Sequence, residues 1–128
     1  MSKKVIWLDR DLVKNPLYLG VCKNEKAFTR EMKRLNIKKN NRPAFILNRA
    51  DATVHYFEKE NKVSAIVCLD ESSKKCRTKA EIMGLITHEA VHVWQEIKSH
   101  IREQLPSPEF EAYSIQMIAQ RIYEAYNG

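Results

Sequence analysis

The stretch Thr78-Lys79-Ala80-Glu81-Ile82-Met83-Gly84-Leu85-Ile86-Thr87-His88-Glu89-Ala90-Val91-His92-Val93-Trp94-Gln95 decides how the rest of the chain is read. Thr78 followed three residues later by Glu81 is a capping box, so a helix opens there. At about 100° per residue, Ile82, Ile86, Val93 and Ile97 gather on one face as a core seam. His88 and His92 fall together on another face, with Gly84 one turn before them. His88-Glu89-Ala90-Val91-His92 is therefore an HExxH motif on a helix, the context that gives the motif meaning. Imidazoles at i and i+4 can converge on one Zn²⁺, and the intervening Glu89 is placed to act as general base rather than as a ligand.

A catalytic zinc needs a third protein ligand and an open position. The final helix, N-capped by Ser107 with Pro108 at its first position, is predicted to run to about Ala125. Glu111 heads its apolar stripe of Ile115, Ile118, Ile122 and Ala125, where a bare carboxylate is costly. Glu109 lies on the polar side. A metal ion would account for the inward carboxylate, so Glu111 is assigned as third ligand. That assignment requires the HExxH helix to end or bend between Lys98 and Ile101, with residues 102–107 looping back.

Upstream, Val5 to Leu8 and Leu17 to Cys22 read as strands, and Asn24 caps an amphipathic helix from Glu25 to Leu35. Pro43 to Leu47 is a further short strand. Thr53 to Glu58 and Val63 to Leu69 form a hairpin. The predicted fold class is α+β: a compact zincin-like domain over 1–128, with a small, mostly antiparallel sheet packed on the HExxH helix. An N-terminal helix backs the sheet and a C-terminal helix closes the metal site. Val63 to Leu69, as an edge strand, would pair with an extended peptide substrate. His55, carried by the hairpin, is the candidate for oxyanion stabilisation.

With 128 residues there is room for one hydrophobic core, and three Gly and four Pro leave little for linkers or many-turned architectures. The longest apolar run, Ala65 to Leu69, is far too short to span a bilayer. Val5 to Leu8 is too short for a secretory signal before Asp9, Arg10 and Asp11 interrupt it. Cys22, Cys68 and Cys76 are odd in number and widely spaced, which suits a reducing cytoplasm, with Cys22 and Cys68 as small core residues.

Charge is unevenly spread. Residues 1–79 hold 19 Lys and Arg against 9 Asp and Glu, a net +10, whereas 80–128 carry a net −4. The basic run Arg30, Lys33, Arg34, Lys38, Lys39 and Arg42 supports a second reading, in which zinc is a folding staple and the basic half binds nucleic acid or protein. A fourth zinc ligand such as His55 would mark a staple. Trp7 and Trp94 are expected to be packing residues.

His88 to His92 with a downstream glutamate resembles the gluzincin type of zinc metallopeptidase. Pro16 to Cys22, Ala52 to His55, His88 to Gln95 and Glu109 to Gln116 together are similar to a family of small phage and prophage proteins described as metallopeptidases. The resemblance implies Zn²⁺ on His88, His92 and Glu111, Glu89 as catalytic base, a peptide or protein substrate, and the bacterial host cytoplasm as the place of action.

Overall fold

A computed structural model describes residues 4–8, 16–48 and 50–128. The elements, in chain order, are strand β1 (Ile6–Trp7), strand β2 (Leu17–Cys22), helix α1 (Glu25–Arg34), strands β3 (Thr53–Lys59) and β4 (Lys62–Cys68), and helices α2 (Lys79–His100) and α3 (Pro108–Asn127). Short 3₁₀ turns cover Lys39–Asn41 and Glu71–Lys75. The fold is α+β. Pro43 to Leu47 forms bends rather than a strand.

The four strands make one sheet in the order β1-β2-β4-β3. β1 and β3 each lie antiparallel to their neighbour, while β2 and β4 run parallel, with Leu19 opposite Ala65 and Val21 opposite Val67. This corrects the expected edge: β4 is interior, its hydrogen bonds taken by β2 and β3, and cannot pair with a substrate. Both faces of β4 are apolar, as an interior strand requires. Its partner β3 is the outer strand. The turn between them places Glu60 and Asn61 at φ 53° and 64°, the left-handed pair of a two-residue hairpin.

Strand alternation sends Leu17, Leu19, Val21, Ala65 and Val67 to one face, where they meet Ile86, Val93 and Ile97 of α2 and Ile118 and Ile122 of α3. The opposite face sends Cys22, Ile66 and Cys68 against Ala27, Phe28 and Met32 of α1. The sheet is thus a middle layer with α1 on one side and the α2–α3 pair on the other. Cys22 and Cys68 are buried free thiols in the core, Cys76 an exposed one.

Local chemistry sets the helix ends. The Glu81 N–H donates to Thr78 Oγ1 at 3.1 Å and the Thr78 N–H to Glu81 Oε1 at 2.8 Å, closing the capping box. Asn24 and Ser107 accept from the backbone N–H groups of Ala27 and Phe110. α2 stops at His100, inside the expected window: Arg102 turns left-handed (φ 58°), and the N–H of Glu103 donates back to the Lys98 carbonyl at 3.0 Å. The chain then reverses and α3 packs along α2. Among the described residues, no helix is long and apolar enough to cross a membrane.

Candidate metal centre

The two motif histidines stand on the solvent side of α2, both exposed, while Glu89 between them turns toward the sheet and is only 6% exposed. His88 Nε2 and His92 Nε2 face each other at 3.2 Å. Two ligands about 2.0–2.1 Å from a tetrahedral ion stand about 3.3–3.4 Å apart, so this spacing fits one zinc shared by both rings. His92 Nδ1 lies 3.1 Å from the amide oxygen of Gln95. Donation from Nδ1 to that oxygen leaves the Nε2 lone pair for a cation, the orienting contact that metal-bound histidines ordinarily have.

The pair is flanked differently on its two sides. On one side, the β3 residue Tyr56 reaches across, its hydroxyl donating to the His92 carbonyl at 3.1 Å. Partial burial, with the nearby charges of Glu96 and Glu89, pushes the Tyr56 phenol up to about 12, so it keeps its proton at neutral pH. Burial also raises the pKa of Glu89, an effect partly offset by His88 and His92. An acid whose anion is poorly solvated is a stronger base, which suits a proton shuttle.

On the other side, the first turn of α3 brings Glu111 to α2. Its Oε2 accepts from Trp94 Nε1 at 2.8 Å and lies 3.8 Å from Lys98 Nζ. The Phe110 ring meets the Trp94 ring edge-on, 5.5 Å between centroids. Around α2, Trp94 and Lys98 lie about 80–120° from His88, on the flank away from Tyr56. The Glu111 side chain is 39% exposed and has an indole and an ammonium as partners, so its orientation needs no ion to explain it. Among the described residues, no three His, Cys, Asp or Glu side chains gather closely enough to hold a metal. The structure thus brings His88 and His92 together, sets Glu89 on the adjoining buried face of α2 and leaves Glu111 one flank away.

His55 lies elsewhere. It pairs across the sheet with Ile66 and therefore points to the α1 face, where its Nε2 is 3.0 Å from the Phe45 carbonyl and its ring stacks near Phe28 and Phe57. The sheet separates it from the histidine pair, so it serves there neither as an oxyanion group nor as a fourth ligand. The β3 side chain that does reach α2 at the motif is its neighbour Tyr56, through the His92 backbone carbonyl, and sequence reasoning missed it. The error is one of parity: both faces of the hairpin are partly apolar, so alternation alone does not say which face meets α2. His100, at the last turn of α2, contacts Glu96 at 2.9 Å rather than the pair. Gly84 is exposed, and a Cβ added there would meet nothing within 4 Å, so no neighbouring element packs tightly against it.

Comparison of the chain with protein-family models, curated proteins and solved structures finds no match.

Proposed function

We propose that the chain is a zinc-dependent peptidase of zincin type, in which His88 and His92 bind the ion, Glu111 completes the ligand set and Glu89 is the general base. The observation that carries this reading is the convergence of two imidazole nitrogens at 3.2 Å beside an acid whose pKa burial raises. To hold the ion, Glu111 would give up the hydrogen bond that it accepts from the Trp94 indole. When bound, the ion supplies a Lewis acid for a peptide carbonyl and acidifies a water molecule.

The residues of the chain then divide the remaining work. The Glu89 carboxylate takes a proton from the attacking water as its oxygen bonds to the carbonyl carbon. Glu89 then hands that proton to the amide nitrogen as the C–N bond breaks. Tyr56, protonated at neutral pH, turns its hydroxyl from the His92 carbonyl to the substrate oxygen. The outer edge of β3, which carries Tyr56, pairs with an extended peptide. The open space at Gly84 leaves room for that peptide along α2.

The test is digestion of an unfolded protein substrate by zinc-loaded enzyme, with fragments identified by mass spectrometry. Cleavage that is lost on chelation and in Glu89→Gln is expected. Absence of cleavage by protein carrying one zinc, or cleavage indifferent to Glu89, contradicts the reading.

A further inference from the structure

On the sheet face opposite the histidine pair, α1 covers only part of the strands, and a cavity of about 800 Å³ opens beside it. Its floor is a row across three strands: Tyr18 of β2 and Phe57 of β3 both stand opposite Ser64 of β4, so two aromatic rings flank a small side chain. Trp7 of β1, 38% exposed, is also part of the lining. A Cβ on Gly20 would come 2.6 Å from Val5 Cγ1 and 3.1 Å from the Trp7 ring, so the absence of a side chain there lets both residues lie close against β2. Trp7 packs against β2 as expected, with the Arg34 guanidinium 6.0 Å over its ring, and its remaining surface lines the opening.

The lining is cationic. Arg34 and Glu31 neutralise one another, the Arg34 Nε lying 3.0 Å from both carboxylate oxygens. Lys4, Arg30, Lys59, Lys62 and Glu60 are the other charged residues of the lining. Lys59 Nζ donates to the Leu35 carbonyl at 3.2 Å, which holds that ammonium across the opening. Beyond the cavity the positive charge continues over exposed Lys26, Lys33, Lys38 and Lys39.

We propose that this cavity binds single-stranded nucleic acid, with bases entering to stack on Trp7, Tyr18 and Phe57 and phosphates following Arg30, Lys59 and Lys62. Flat aromatic surfaces inside a basic concavity are reached by unstacked bases and not by those of a duplex. An acidic peptide would use the cations but leave the rings without flat partners. Positive charge continuing past the cavity suits a chain of phosphates better than one nucleotide. The site owes nothing to the histidine pair, from which the sheet separates it, so either proposal can fail alone.

The experiment is fluorescence anisotropy of a labelled dT12 strand titrated with full-length protein at 50 and 200 mM salt. Binding should weaken with salt in proportion to the phosphates engaged, with a slope of about 0.7 per phosphate. Arg30→Ser with Lys62→Ser should weaken it at least about tenfold, and Trp7→Leu at least about fivefold. His88→Ala with His92→Ala should leave it within about twofold. Lys75→Ser with Lys79→Ser removes the same charge elsewhere on the surface and should change it by less than about threefold. Arg30 and Lys62 are exposed, so their substitution keeps the test valid should Trp7→Leu fail to fold. No binding at 50 mM salt, equal loss from the Lys75 and Lys79 substitutions, or ATP or duplex DNA bound as tightly as the strand would overturn the proposal.

Discussion

Helices α1 and α2 lie on opposite faces of the same sheet, and each buries one glutamate against it: Glu31 at 5% exposure, Glu89 at 6%. Their surroundings differ. Glu31 has a cation of its own, the Arg34 guanidinium one turn on, which engages both carboxylate oxygens. Glu89 has two imidazoles beside it, and its pKa is raised because burial outweighs them. A carboxylate neutralised by a fixed guanidinium is a structural element. One left basic beside two converging imidazole nitrogens has the properties that a proton shuttle needs, and for that reason the proposed chemistry is assigned to α2 rather than to α1.

The largest contrast is expected when each acid is replaced by its amide. Glu89→Gln should reduce metal-dependent peptide cleavage by about 10²–10⁴ while zinc still binds. In the metal-free protein it should cost no more than about 0.5 kcal/mol in urea unfolding, since a poorly solvated charge is removed. Glu31→Gln should leave cleavage intact and cost about 1 kcal/mol, a modest figure because Arg34 is well exposed. Equal effects on both functions would erase the distinction between the two acids.

A second contrast concerns what stands beside each acid. Arg34 beside Glu31 is a cation, whereas Tyr56 beside Glu89 is a neutral donor. Tyr56→Phe should lower the rate of cleavage at least about tenfold with zinc affinity unchanged, as read by steady-state kinetics and competitive chelation. A change confined to KM would instead make Tyr56 a substrate contact. The smallest effect is expected at Trp94. Trp94→Phe removes the indole N–H that holds Glu111 and should tighten zinc binding about fivefold, the equivalent of one ordinary hydrogen bond. Glu111→Ala should weaken it. If neither substitution alters zinc affinity, Glu111 is not a ligand.

Much of this was legible in the residues. The capping box at Thr78, the caps at Asn24 and Ser107 and the Leu17–Cys22 strand all stand where local chemistry put them, because capping and short apolar periodicity are decided within a few residues. The end of α2 before Ile101 was expected from the need to bring Glu111 to the histidine pair; the helix does stop at His100, although Glu111 there meets Trp94 and Lys98. What the sequence left undetermined was long-range. β4 is apolar on both faces, which fits an edge or an interior strand until β2 is known to lie beside it, and that parallel pairing arises from a connection of some 40 residues. The same ambiguity exchanged His55 for Tyr56. Glu111 shows a different limit: an inward position on a helical wheel can be satisfied by an indole and an ammonium from the neighbouring helix, and the periodicity of one helix does not report its partner's donors.

X-ray absorption at the zinc edge, on wild-type protein loaded with one equivalent of the metal, tests the proposed metal centre directly. The account predicts two imidazole nitrogens and at least one oxygen at about 2.0–2.1 Å, with one nitrogen lost in His92→Ala. A sulfur scatterer near 2.3 Å, or a spectrum unchanged when both His88 and His92 are replaced, would contradict it.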